Sequence, residues 1–169
     1  MTLLEGEDIQ DLEGGEEVNS DYRSVRSGPA PHIIDVDDAA SEITAVAGWI
    51  RHWIDEGVKP EAIGVLTRSD KRGSRAAEDL TAAGVAAHLQ SRDAAIQPGS
   101  VPVLTMHAAK GIEFQNVVVL GAGPRDIPAS WALEGMSDGD RADALTRERS
   151  LLYVAATRAR DNLLVTRRK

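Results

Sequence analysis

The sequence predicts a doubly wound α/β domain, in which helices cover both faces of a mainly parallel sheet. Short apolar runs alternate with amphipathic segments along residues 32–169. Two of the runs, VPVL (101–104) and VVVL (117–120), are continuous and rich in β-branched residues. Such runs are typical of strands that are buried on both faces, as in parallel sheets. With 169 residues and 42% hydrophobic content, the chain is long enough to bury one substantial core.

Each element can be placed along the folded part. HIIDV (32–36) predicts a strand, and the apolar period over 39–53 predicts a helix that begins after Asp37 or Asp38 and stops at Gly57. AIGVL (62–66) predicts a strand, TRSDKRGS (67–74) a polar turn, and residues 75–83 a helix ended by Gly84. VAAHL, VPVL and VVVL predict further strands. Residues 141–160 predict a long helix, and NLLVT (162–166) predicts the closing strand.

The acidic charge is concentrated at the start of the chain. The net charge is -8, but residues 1–21 contain eight acidic side chains and no lysine or arginine, and the remainder has 19 of each sign. We expect residues 1–31 to be an acidic, disordered linker or tail, and residues 32–169 to be the folded domain. Residues 141–169 contain eight basic and three acidic side chains, a local excess that could meet phosphate.

Polar residues follow the predicted strands, where ligands bind in sheets of this type. Arg68 follows AIGVL, Thr105 and His107 follow VPVL, and GAGPRD (121–126) follows VVVL. Gly111 would let backbone approach a ligand, and Glu113 offers an acceptor for sugar hydroxyls. Taken singly, each of these residues could equally be an ordinary loop residue.

Three segments together resemble a known family. TMHAAKGIEFQNVVVLGA (105–122) resembles motif V of the UvrD/Rep-like superfamily 1 helicases, and ERSLLYVAATRARDNLLVT (148–166) resembles their motif VI. IGVLTRS (63–69) resembles the weaker motif IV, and the three occur in the family's order. The resemblance implies the second RecA-like domain of such a motor, a three-layer α/β domain of the P-loop NTPase type.

The resemblance also implies a role for individual residues. Arg68 and Arg158 match arginines that reach the γ-phosphate from the second domain, Arg158 being the arginine finger. Gly111 and Glu113 match positions on the sugar side of the nucleotide. The residues expected near single-stranded nucleic acid, with DNA favoured by analogy, are Thr105, His107 and Lys110.

The sequence departs from the family pattern in one decisive respect. The phosphate-binding pattern GxxxxGK[ST] is absent, since none of Lys59, Lys71, Lys110 and Lys169 follows a glycine. We therefore expect ATP and Mg²⁺ to be held mainly by a first RecA-like domain, the expected partner, and we expect this chain alone to be inactive. The large accessory domain inserted in the best-known members is also missing, because only about thirty residues separate motifs IV and V.

Three interpretations remain open. The chain could be the C-terminal half of an ATP-dependent DNA helicase or translocase, a stand-alone non-catalytic module that binds nucleic acid or a partner, or a domain whose motifs survive for packing alone. The absence of cysteine fits a reducing cytoplasm, and no apolar run reaches the ~20 residues of a membrane span. We therefore expect a cytoplasmic protein with no membrane partner.

Overall fold

A computed structural model describes residues 9–10, 16–17, 29–92, 94–123, 127 and 135–169. Most of the predicted tail, and Pro124 to Asp126 of the GAGPRD segment, lie outside the described residues, so the division at residue 31 stays a prediction. Within the first 31 residues, β1 (Ile9–Gln10) and β2 (Glu16–Glu17) pair as a two-residue antiparallel ladder.

The domain is built on a six-stranded sheet in which every pair of neighbours is parallel. Its strands lie in the order β3-β8-β7-β4-β6-β5. The central strands are almost fully buried, as their β-branched runs predict. The bounds are β3 His32–Val36, β4 Ile63–Thr67, β5 Ala87–Leu89, β6 Val101–Thr105, β7 Phe114–Val119 and β8 Ala159–Arg168.

Two helices cover one face of the sheet. In α1 (Ala39–Asp55), Asp38 is the N-cap and accepts a hydrogen bond from the backbone N–H of Ser41 at 2.7 Å. In α2 (Asp70–Ala82), Ser69 is the N-cap. The two helices also share a buried charge, because Glu42 of α1 is 1% exposed and lies 2.6 Å from the guanidinium of Arg72 in α2.

The opposite face is covered by α3 (Asp138–Ala156) and by the segment that joins β6 to β7. From the segment, Met106 and Ala109 are buried, and from the helix, Ala155. All three belong to one core cluster with residues of β4, β6 and β7. The layers are therefore helix, sheet and helix, and none of the described helices is long and apolar enough to span a lipid bilayer.

The α/β class and the parallel sheet are confirmed, but two element boundaries predicted from the sequence are wrong. The helix predicted over 75–83 begins five residues earlier, because Ser69 caps it and Gly73 is accommodated in its buried face. The helix predicted over 141–160 ends at Ala156, and Ala159 and Arg160 already belong to β8. At that point the backbone pairs with β7 rather than completing another turn.

Candidate functional site

The first group of predicted site residues lies at the carboxyl edge of the sheet. Arg68 directly follows β4, and Thr105 is the last residue of β6. The hydroxyl of Thr105 accepts a hydrogen bond from the backbone N–H of Ala108 at 3.1 Å, which shapes the turn after the strand. This turn presents His107 on the surface. Arg68 and His107 are thus brought together, as the strand-edge argument predicts.

Arg68 makes a bidentate ion pair with Glu148 of α3. Its Nε donates to one carboxylate oxygen at 2.8 Å, and its Nη2 donates to the other at 2.6 Å. The side chains are only 11% and 9% exposed. Two parallel charge-assisted bonds of this length fix the planes of both groups as well as their separation.

A cavity of about 330 Å³ lies beside this ion pair, between the turn after β6 and α3. Its polar lining consists of the cations of Arg68 and Arg147, the carboxylate of Glu148 and the imidazole of His107, and its remaining walls are apolar. The apolar lining residues are Met136, Ala144 and Leu151.

The second group of predicted residues lies at the opposite edge, where β7 and β8 begin. Gly111 is exposed with φ +88°, a left-handed conformation that favours glycine, and a Cβ added there would meet no atom within 4 Å. Glu113 is exposed and precedes β7. The backbone N–H of Phe114 donates to the carbonyl of Arg158 at 3.0 Å, so Glu113 and Arg158 flank the same pair of strand ends.

Arg158 contacts neutral oxygen atoms at the end of α3. Its Nε donates to the carbonyl of Val154 at 3.1 Å, and its Nη2 donates to the hydroxyl of Thr157 at 3.2 Å. In the part of the chain that the structure describes, the half-buried Arg158 side chain makes no ion pair with a carboxylate. The neighbouring Arg160 differs, because it donates a hydrogen bond to the carboxylate of Asp161. This bond raises the pKa of Arg160 above the ordinary arginine value.

The structure does not bring the two predicted phosphate-binding arginines together. Arg68 lies at the carboxyl edge beside Glu148, whereas Arg158 immediately precedes β8 at the amino edge. Eight residues separate Glu148 from Ala156, the last residue of α3, which corresponds to about 12 Å of helix rise, and Arg158 follows two residues later. Lys110 lies between the two groups, exposed on the segment that crosses from one edge to the other.

Glu148 is the functional candidate that the sequence reasoning missed. It lies three residues after Leu145 and four before Leu152, on the stripe of α3 predicted to face the core. It is 7% exposed. A single carboxylate on an apolar stripe was the available signal, because such a position requires a buried partner. No described cluster of three or more His, Asp or Glu side chains could hold a metal ion.

Comparisons with known proteins point to one family. Residues 87–169 match the family model for the UvrD-like helicase C-terminal domain. The chain is 47% identical over 66 residues to the candidate ATP-dependent DNA helicase YjcD of Bacillus subtilis, and this match covers 39% of the chain and 9% of that protein. It is 37% identical over 86 residues to the ATP-dependent DNA helicase UvrD2 of Mycobacterium tuberculosis, covering 49% of the chain and 12% of that protein.

A solved structure shares the fold. The C-terminal domain of a possible DNA helicase from Lactobacillus plantarum superposes with a TM-score of 0.62 at 22% identity. The superposition covers 83% of this chain and 75% of that one. By contrast, the matched segments span only about a tenth of the length of the curated relatives named above.

Proposed function

We propose that the chain works as the second RecA-like half of an ATP-dependent DNA helicase or translocase, from the premise that residues 87–169 match the UvrD-like helicase C-terminal domain family. Its partner is then a first RecA-like domain, which binds most of the nucleotide and the Mg²⁺. A sequence without cysteine supports a reducing compartment such as the cytoplasm.

The observation that carries this proposal is the state of Arg158. A guanidinium at the end of a helix, half-buried and hydrogen-bonded within the described residues to the neutral oxygens of Val154 and Thr157, can exchange those partners for phosphate oxygens at modest cost. Because arginine stays charged and presents a planar fork of donors, it suits charge that develops on a transferred phosphoryl group. Arg158 is thus the proposed arginine finger.

The residues around Arg158 fit the sugar side of the nucleotide. Gly111 leaves open space where any other residue would place a Cβ. Glu113, exposed at the start of β7, offers a carboxylate that can accept from ribose hydroxyls. When ATP is bound, it supplies the phosphoryl group that is transferred to water. The proposed task of these residues is to hold the sugar while Arg158 neutralises charge at the far phosphate.

The carboxyl edge, together with the start of the segment that crosses from β6 to β7, is the proposed track for single-stranded DNA. His107 and Lys110 are exposed, and the Thr105 hydroxyl orients the turn that presents them. An ammonium can contact backbone phosphate, and an imidazole can pack against a sugar or a base. Since most of such binding energy is electrostatic, affinity should fall as salt rises.

The test reconstitutes the two halves. This chain alone, and this chain joined to a first RecA-like domain from a UvrD-like helicase, are assayed for ATP turnover with and without single-stranded DNA. We expect no turnover from the chain alone and DNA-stimulated turnover from the joined protein. Robust turnover by the chain alone would refute the half-site assignment. Salt-dependent DNA binding without turnover in the joined protein would instead favour the non-catalytic binding module.

A further inference from the structure

The ion pair between Arg68 and Glu148 is the feature that the proposed function leaves unexplained. Both charges are almost removed from water, and yet they are held by two short parallel hydrogen bonds. Removing two charges from water costs several kcal/mol per ion, so such pairs add little net stability compared with well-packed apolar side chains. Their distinctive property is geometric, because a bidentate pair permits only a narrow range of relative orientations.

One end of the pair is fixed to the segment that carries the proposed DNA contacts. Arg68 follows Thr67, whose carbonyl accepts a hydrogen bond from the backbone N–H of Met106 at 2.8 Å. Met106 is fully buried and lies between Thr105 and His107. The position of Arg68 is therefore tied directly to the turn that presents the imidazole.

The other end is fixed to the helix that leads to the proposed finger. Glu148 belongs to α3, and the helix runs from there to Ala156. The backbone N–H of Arg158 donates to the carbonyl of Ala155 at 3.1 Å, so the finger continues the last helical turn. A helix is stiff over this length, so a shift or rotation at Glu148 is carried to Arg158.

We propose that Glu148 is a positioning residue, which uses its bidentate pair with Arg68 to hold α3, and hence Arg158, in register with the DNA-contacting turn. Arg68 then acts through Glu148 and does not itself touch phosphate. This inference rests on the proposed function. It provides a route by which DNA bound at the turn after β6 changes the position of Arg158.

The first arm is a double-mutant cycle in the joined two-domain protein. Arg68→Gln, Glu148→Gln and the double variant are compared for kcat and KM for ATP in the presence of single-stranded DNA. Displacing a catalytic group by about 1 Å costs about 10²-fold, so each single variant should lower kcat by that order and leave KM unchanged. The double variant should be no worse than either single one. A loss with Arg68→Gln alone would overturn the proposal, because Arg68 would then contact the ligand itself.

A second pair of variants separates positioning from stability. Breaking one partner of a buried pair can unfold a domain, whereas replacing both by apolar side chains of similar volume is often neutral. The variant with Arg68→Met and Glu148→Leu should therefore keep its melting temperature and still lose kcat. The matched control removes the exposed pair of Arg167 and Asp35, whose side chains are 47% and 43% exposed, and should change neither quantity. Full turnover in the apolar variant would overturn the proposal.

The third arm needs no activity, and so it decides the inference even if the proposed function fails. Amide hydrogen exchange is measured on this chain alone and on its apolar variant. If the pair sets the register of α3, the amides of Phe114, Thr157 and Arg158, which bond at the helix end, should exchange at least tenfold faster in the variant. Protection in α1 should stay unchanged. Unaltered exchange at the three amides would overturn the proposal whatever the turnover of the joined protein.

Discussion

Replacing Arg158 by alanine should nearly abolish ATP turnover in the joined two-domain protein. Arginine fingers contribute about 10³ to 10⁵ in turnover, because they stabilise charge that develops only in the transition state. Nucleotide affinity should change far less, since the first domain is expected to supply most ground-state contacts. Arg158→Lys should restore little, because an ammonium lacks the planar fork of donors.

Reduced folding stability can explain only part of this loss of ATP turnover. Arg158→Ala removes hydrogen bonds to the carbonyl of Val154 and the hydroxyl of Thr157, both of them neutral acceptors near the surface. Two such bonds contribute about 1–2 kcal/mol together. For a domain of this size that lowers the melting temperature by about 2–8 °C. A protein with an ordinary stability of about 5–15 kcal/mol therefore stays folded at the assay temperature.

The assay measures turnover and folded fraction on the same samples. Circular dichroism gives the melting curve, and a coupled assay gives kcat and KM with single-stranded DNA. Arg160→Ala is the matched control, because Arg160 lies two residues further on, is half-exposed and pairs with Asp161. It should keep most of the turnover. If turnover in Arg158→Ala falls only in proportion to the folded fraction, Arg158 is structural and the finger assignment is refuted.

Three further predictions concern backbone and cap positions. Gly111→Ala should lower the free energy of unfolding, measured by chemical denaturation, by about 1–2 kcal/mol, because the backbone there is left-handed. Gly84→Ala, at φ +84°, should lower it by the same amount, but only Gly111→Ala should also lower ATP turnover. Gly64→Ala should destabilise by about 1–3 kcal/mol, because its Cβ would lie 2.4 Å from a phenylalanine ring, whereas Gly48→Ala on open helix surface should stabilise by about 0.5–1 kcal/mol. A hydrogen bond from the backbone N–H of Ser41 lowers the pKa of Asp38 below its usual 3.8. The stability that the Asp38 carboxylate adds to the fold is therefore present above pH 3.8 and is lost as pH falls through the folded-state pKa. Asp38→Asn should remove this acid dependence from calorimetric melting curves, and an unchanged pH profile would contradict it.

The fold was predictable because its signals are strong and local. Continuous β-branched runs at β6 and β7 can be satisfied only by strands covered on both faces, and the predicted cap residue Asp38 begins the helix that follows β3. The two wrong boundaries arise where neighbouring signals compete. Gly73 suggested a turn although Ser69 already caps α2, and the helical stripe of α3 continues past Ala156 although pairing with β7 converts Ala159 to strand.

The sequence predicted where some of the candidate residues lie, and their roles stay a prediction. The strand-edge rule placed Arg68 and His107 together, and both line one cavity. It could not place Gly111 and Glu113, because the segment after β6 crosses one face of the sheet and delivers them to the other edge. The partner of Arg68 was equally out of reach. Which of the acidic side chains approaches a given arginine depends on how α3 packs, and Glu148 lies eighty positions away in sequence.

The two arginines that the motifs treat alike are distinguished by the charges around them. Arg68 already donates to the Glu148 carboxylate through Nε and Nη2. If it moved to a phosphate, Glu148, 7% exposed, would be left as an uncompensated buried charge. Breaking a buried pair in this way costs about 3–5 kcal/mol, and every catalytic cycle would incur that cost. Arg158 gives up a carbonyl and a hydroxyl, its partners among the described residues, and their replacement by phosphate oxygens strengthens the bonds. The difference in cost favours Arg158 as the group that moves onto the nucleotide and Arg68 as the group that stays in place.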